Sequence, residues 1–113
     1  MKRDVSLFLK DILKASDAIE SFVEGLALGQ FSADDKTSSA VVKKLEIMGE
    51  AAKQIPQKVR NKIPLPWKEM AGMGDRLTHS YFGIDFQLVW DVVKNKLPEG
   101  KKEIEGFLAK GER

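Results

Sequence analysis

The chain has one histidine and one tyrosine, His79 and Tyr81, which stand two residues apart. It contains no cysteine. One subunit therefore lacks the side chains for a closed zinc site or a cysteine nucleophile. A single imidazole still suits general acid–base catalysis, above all when a symmetric dimer brings two copies of it to one substrate.

The neighbours of His79 strengthen this hypothesis. Asp75 precedes His79 by four residues, which is about one helical turn and nearly the same face. Such a carboxylate can orient an imidazole and stabilise its protonated form. Position 74 and Tyr81 also share a face, whereas Arg76 flanks His79 on the other side. An isolated histidine on a helix is more often structural than catalytic, so the hypothesis depends on these neighbours.

A second candidate feature is a basic segment in the middle of the chain. No acidic residue occurs between Glu50 and Glu69, and this stretch contains Lys53, Lys58, Arg60, Lys62 and Lys68. Together with Arg76, these side chains could contact phosphates. A solvated, lysine-rich loop with no binding role is an equally open interpretation.

The composition fits one small domain that spans residues 1–113. Of 113 residues, 42% are hydrophobic and 32% are charged, and the formal net charge is +2. This is enough for one modest core. No apolar run reaches the roughly 18 residues of a membrane span, and the N-terminal segment does not resemble a signal peptide. We expect a soluble, cytoplasmic protein that uses no cofactor or metal ion.

Helical periodicity dominates the first half of the chain. Apolar residues recur every three or four positions over 5–26 and predict a long first helix. A connection over 31–35, with Ser and Asp capping candidates, should lead to a second helix that starts near Thr37 and that Pro56 ends. Gly49 lies in this second helix and should let a neighbouring helix approach closely.

The candidate site should lie on a third helix. After a loop over 57–66 with at most a short helical turn, Trp67 should open a helix that runs to Tyr81, with Gly83 just beyond its end. Asp85 is the candidate N-cap of a fourth helix that Pro98 stops. A short terminal helix around 104–108 should then fold back. These elements predict an all-α, up-and-down bundle of four helices plus one short helix.

The segment around His79 resembles a known family. Residues 72–85 and the following Val89-Trp90 look like the signature of the HepT-type branch of the HEPN superfamily. Two earlier blocks, residues 45–53 and 63–67, are similar to the other family blocks and occur in the expected order. The motif residues read Gly72-Met73-x-Asp75-Arg76-Leu77-Thr78-His79-Ser80-Tyr81-Phe82-Gly83-Ile84-Asp85.

This resemblance implies a homodimeric, metal-independent ribonuclease with the HEPN fold. Such a protein is the toxin of a prokaryotic toxin–antitoxin pair and cleaves RNA, for example tRNA or mRNA. The usual antitoxin is a minimal nucleotidyltransferase that transfers AMP to the motif tyrosine. In the family motif, Arg-x4-His-x-Tyr with a polar residue after the arginine, His79 matches the catalytic histidine. Asp75 matches the supporting polar residue and Tyr81 the AMP acceptor.

Gly74 departs from the motif because it occupies the position of the arginine. Removing a charge-stabilising group should slow cleavage by about 10²–10³-fold. One explanation is a natural member that binds RNA or a partner without cutting. Another is an inactivating Arg-to-Gly change acquired when a toxic gene was cloned. The rival function is a non-catalytic helical module that dimerises and holds a nucleotidyltransferase.

Overall fold

Helices make up the regular structure of the part of the chain that the computed structural model describes, residues 3–79 and 83–111. The predicted all-helical bundle is confirmed. Four long helical runs and two short helices form it. The bounds are Val5–Val23 for α1, Leu28–Ala33 for α2, Asp35–Lys53 for α3, Gln57–Arg60 for α4, Trp67–Thr78 for α5, Phe86–Asp91 for α6 and Leu97–Ala109 for α7.

Helix α1 confirms the predicted first helix and supplies one wall of the core. The Asp4 side chain caps its start by accepting a 2.9 Å hydrogen bond from the backbone N–H of Ser6. Leu9, Ile12 and Ile19 recur at helical spacing and are almost completely buried. The helix ends at Val23, before Leu26, and Gly25 follows with a φ of +78°, which favours glycine.

The connection predicted over 31–35 is wrong except at Asp34, where the predicted Asp cap is confirmed. Phe31 is fully buried within helix α2, where its ring centroid lies 5.1 Å from that of Trp90 and 5.8 Å from that of Phe86. Burial of this aromatic ring outweighs the local turn signal of the polar residues after it. Asp34 then caps α3 by accepting hydrogen bonds from the backbone N–H and the hydroxyl of Thr37 at 3.1 and 2.8 Å.

Pro98 does not stop the fourth helix, contrary to the prediction. Helix α6 continues through a π-helical turn, Val92–Lys96, directly into α7, which has Pro98 in its first turn. A proline lacks the N–H of a helical hydrogen bond and crowds the preceding turn, and the wider π turn accommodates both effects. Ile104 and Phe107 therefore extend the same helical run and are buried against the core, with no separate helix folding back.

The α3–α5 and α1–α3 contacts are the most extensive in the bundle, so α3 lies between the two. The predicted loop over 57–66 is confirmed, with α4 as its single helical turn. Within the described residues, no helix is both long enough and apolar enough to cross a membrane. The end of α5, which carries the candidate site, is thus positioned chiefly by α3.

Candidate functional site

Helix α5 ends one residue before His79, earlier than the sequence predicts. His79 is the C-cap, and its backbone N–H donates to the Asp75 carbonyl at 3.1 Å. The Thr78 hydroxyl donates to the Gly74 carbonyl at 2.9 Å, the bond to the carbonyl four residues back that a helical threonine commonly makes. Gly83 has a φ of +125° but lies four residues beyond this cap, so the prediction that it comes just after the end of the helix is wrong. The His79 side chain is exposed at the helix end.

An open cleft of about 690 Å³ lies beside this helix end, between α1, α3 and α5. Its wall includes His79 and Thr78 from the end of α5 together with Glu50 and Lys53 from α3. Tyr81, the expected AMP acceptor, lies outside the described residues. The cleft therefore brings the histidine of α5 next to charged side chains of α3 that the motif does not contain.

Asp75 contacts a partner on another helix. Its Oδ1 atom lies 2.5 Å from the Nζ atom of Lys53, which is also 2.8 Å from Oε2 of Glu50. The hydrogen bond to Asp75 and, as the second cause, the hydrogen bond to Glu50 raise the pKa of Lys53 above its ordinary value. Asp75 meets His79 through its backbone carbonyl. Its carboxylate binds Lys53, whereas helical spacing within α5 predicts a contact between this carboxylate and the imidazole.

The cleft carries more acidic than basic side chains. Asp11, Glu46, Glu50 and Asp75 line it, as do Lys43 and Lys53. Arg3 adds one cation, because its guanidinium pairs with Asp11 at 2.6 Å, so four carboxylates meet three cations. Among residues 3–79 and 83–111, no three His, Asp or Glu side chains are grouped in a way that could hold a metal ion.

Gly74 is buried where α5 crosses α3 and packs directly on Gly49. A Cβ atom on Gly74 would lie 3.1 Å from the Cα of Gly49, and one on Gly49 would lie 2.9 Å from the Cα of Gly74. The close helix approach predicted at Gly49 is therefore confirmed. Any side chain at position 74 requires the two helices to separate by a few tenths of an ångström.

The basic segment does not form one surface with the cleft. Lys58, Lys62 and Lys68 are exposed, and none of them is part of the cleft wall. Lys53 is the member of the segment that reaches the cleft. Arg76 lines a separate depression with Asp85 and Leu88, so it lies on a different face of α5 from His79, as the helical spacing predicts.

Arg60 has a structural role that sequence reasoning missed. Its Nε and Nη2 atoms donate 2.9 Å hydrogen bonds to the carbonyls of Ile55 and Ala52, at the end of α3. Its guanidinium also lies 5.9 Å from the ring centroid of Trp67. A basic residue shortly after a helix often binds the last carbonyls, and this is the signal that could have identified it.

Comparisons with known proteins agree on one family. A protein-family model described as Ribonuclease HepT-like matches residues 12–107, which include Lys53, Gly74 and His79. "Putative RNase MJ0127" of Methanocaldococcus jannaschii is 46% identical over 108 residues, which cover 95% of this chain and 89% of that protein. "Probable ribonuclease HepT" of Thermococcus cleftensis is 42% identical over 106 residues, which cover 93% and 96%. No solved structure matches significantly.

Proposed function

The chain belongs to the ribonuclease HepT-like family of the HEPN superfamily, and we propose that its cleft is a metal-independent RNA-cleaving site built around His79. The observation that carries this proposal is the placement of His79. The one histidine of the chain is exposed at the end of α5 and lines an open cleft. Relatives that align over more than nine-tenths of the chain are named as RNases.

The proposed reaction needs two proton transfers. A base removes the proton of the ribose 2′-hydroxyl, whose oxygen attacks the phosphorus. The bond from phosphorus to the 5′-oxygen breaks, and an acid protonates that oxygen as it leaves. One imidazole supplies half of this chemistry. A two-fold dimer that joins two clefts supplies the second His79, so the proposal includes a homodimer.

Gly74 makes this chain a weak catalyst in our proposal. The transition state carries extra negative charge on the phosphate oxygens, and the motif arginine would stabilise it. Gly74 provides no charge, and the carboxylates of the cleft oppose the substrate phosphate. The close packing of Gly74 on Gly49 favours a second candidate function, a non-catalytic module that binds RNA or scaffolds a nucleotidyltransferase, because any side chain at position 74 has to move α3 and α5 apart.

The deciding experiment restores the cation. Gly74→Arg should raise cleavage of cellular RNA by about 10²-fold or more, because a positive charge returns to the developing phosphorane. The matched control is Gly74→Ala, which adds the same Cβ atom at 3.1 Å from Gly49 but no charge. Cleavage is measured as product accumulation on gels, with and without EDTA, and should not change when EDTA is added.

Two further arms test the histidine and the dimer. Adding His79→Ala to the Gly74→Arg chain should abolish the restored cleavage. Excess copies of that double variant, mixed and re-equilibrated with the Gly74→Arg chain, should lower its activity if each site uses two chains. If Gly74→Arg folds but leaves RNA intact, the scaffold function replaces the nuclease.

The biological setting that we propose is a toxin–antitoxin pair, in which the RNase acts on tRNA or mRNA and a minimal nucleotidyltransferase antitoxin silences it. Tyr81 would accept AMP: its phenolic oxygen attacks the α-phosphorus of ATP, pyrophosphate leaves and the phenolic proton is lost. Support comes from its position, two residues after His79, and from its being the one tyrosine of the chain. The added phosphate would repel RNA at the cleft.

A further inference from the structure

Lys53 is held in the cleft by two carboxylates. Its Nζ atom lies 2.5 Å from Asp75 and 2.8 Å from Glu50, so two of the three N–H groups of the ammonium have acidic partners. The contact to Glu50 lies within α3, whereas the contact to Asp75 crosses from α3 to the last turn of α5. The cation thus stands beside the turn that ends at His79.

We propose that Lys53 is the phosphate-binding cation of this cleft and that Asp75 masks it, so that RNA binds only in competition with the Lys53–Asp75 ion pair. This inference rests on the proposed RNA-directed function of the cleft. It gives Asp75 an inhibitory part and assigns the role of the missing motif cation to Lys53 on α3, because Arg76 lies on a different face of α5.

Exposure and charge carry the argument. The side chains of Lys53 and Asp75 are 37% and 54% exposed, so water can replace either partner and the pair is easily opened. The four carboxylates and three cations around the cleft give it a net negative charge, which repels a phosphate. Without the charge of Asp75, three carboxylates meet three cations, and Lys53, which lines the cleft together with His79, loses one of its two acidic partners.

The test measures binding of a short, fluorescein-labelled single-stranded RNA by fluorescence anisotropy. The protein keeps Gly74, because the missing motif arginine should make RNA cleavage too slow to consume the labelled RNA. Asp75→Asn preserves the size of the side chain and removes its charge. It should tighten RNA binding by about three- to fivefold, which corresponds to the upper range for one exposed ion pair. One new phosphate contact should also steepen the slope of log affinity against log salt by about 0.7.

Two matched controls separate Lys53 from a general charge effect. Glu105→Gln removes one negative charge from α7, outside the cleft wall, and should leave the affinity and its salt slope nearly unchanged. In the Asp75→Asn background, Lys53→Gln should remove the whole gain. Lys102→Gln, which deletes an exposed lysine of α7 in the same background, should retain it.

The outcomes distinguish this inference from the proposed nuclease. If Asp75→Asn binds RNA no better than the parent chain, or if Lys102→Gln removes the gain as well as Lys53→Gln does, the masked cation is overturned even where Gly74→Arg cleaves RNA. If the gain appears and depends on Lys53 while Gly74→Arg does not cleave, the masked cation stands and the nuclease fails.

Discussion

The guanidinium of Arg60 binds backbone carbonyls at the end of α3, the helix whose last residue is Lys53. Its two hydrogen bonds reach the carbonyls of Ala52 and Ile55, and the Ala52 carbonyl also accepts a 3.2 Å hydrogen bond from the backbone N–H of Ile55. Lys53 itself lies between these two residues in the chain. Arg60, which is not part of the cleft wall, therefore anchors the backbone on both sides of the candidate cation.

Arg60→Ala should lower the free energy of unfolding by about 1–3 kcal/mol, because it leaves two carbonyls without their charged donor and removes the contact with Trp67. Urea denaturation followed by circular dichroism measures this change. The control is Lys58→Ala on the same helical turn, an exposed position where the change should stay within about 0.5 kcal/mol. Equal effects of the two substitutions would contradict the structural role of Arg60.

Sequence reasoning predicts His79 as the centre of the candidate site but could not identify the partner of Asp75. Helical spacing relates only residues within one helix, and it placed the Asp75 carboxylate against His79. Lys53 lies 22 residues earlier and reaches Asp75 only through the packing of α3 on α5. Its identification required the tertiary structure.

At the level of elements, two glycines determine how closely α3 and α5 pack. Gly49 and Gly74 face each other with almost no space for a Cβ atom on either residue. The opposed glycines bring the two backbones together just before the turn that carries Asp75 and His79. The distance between Lys53 and Asp75 is therefore tied to this crossing.

Gly49→Ala should destabilise the fold by about 1–3 kcal/mol, because its Cβ would lie 2.9 Å from the backbone of Gly74 and force the helices apart. Gly106→Ala is the matched control, since Gly106 is helical and a Cβ there meets no atom within 4 Å. That change should stabilise the protein by about 0.5–1 kcal/mol through helix propensity. Thermal unfolding compares them, and a neutral Gly49→Ala would show that the crossing is loosely packed.

The helices themselves were predictable where local signals and burial agree. The apolar periodicity of α1 and α3 and the Asp85 cap of α6 all appear in the structure. The predictions failed at Phe31 and Pro98, where a local signal for a break conflicts with long-range packing. Burial of the Phe31 ring and continuation of α7 across α1 decide both cases.

At the level of the whole molecule, we expect silencing by the proposed antitoxin to depend on one residue, Tyr81. Incubation with the partner nucleotidyltransferase and ATP should add the mass of AMP to the parent chain and none to Tyr81→Phe, because the acceptor oxygen is then absent. Intact-mass spectrometry measures the transfer. In a chain that also carries Gly74→Arg, Tyr81→Phe should retain RNA cleavage in the presence of the partner. A modification mapped to Thr78 or Ser80 would remove Tyr81 from this role.

The π-helical turn Val92–Lys96 has a consequence for how the length of this chain can vary. In this turn, the N–H of Leu97 donates to the carbonyl of Val92, five residues back, where a regular α-helix would use four. The turn thus contains one residue more than an α-helical turn would, within an otherwise continuous helix. A chain one residue shorter here would close a regular helical ladder and still direct Ile104 and Phe107 toward the core. The deletion of one residue among descendants of this gene should therefore be tolerated at this turn sooner than anywhere else in the last helix.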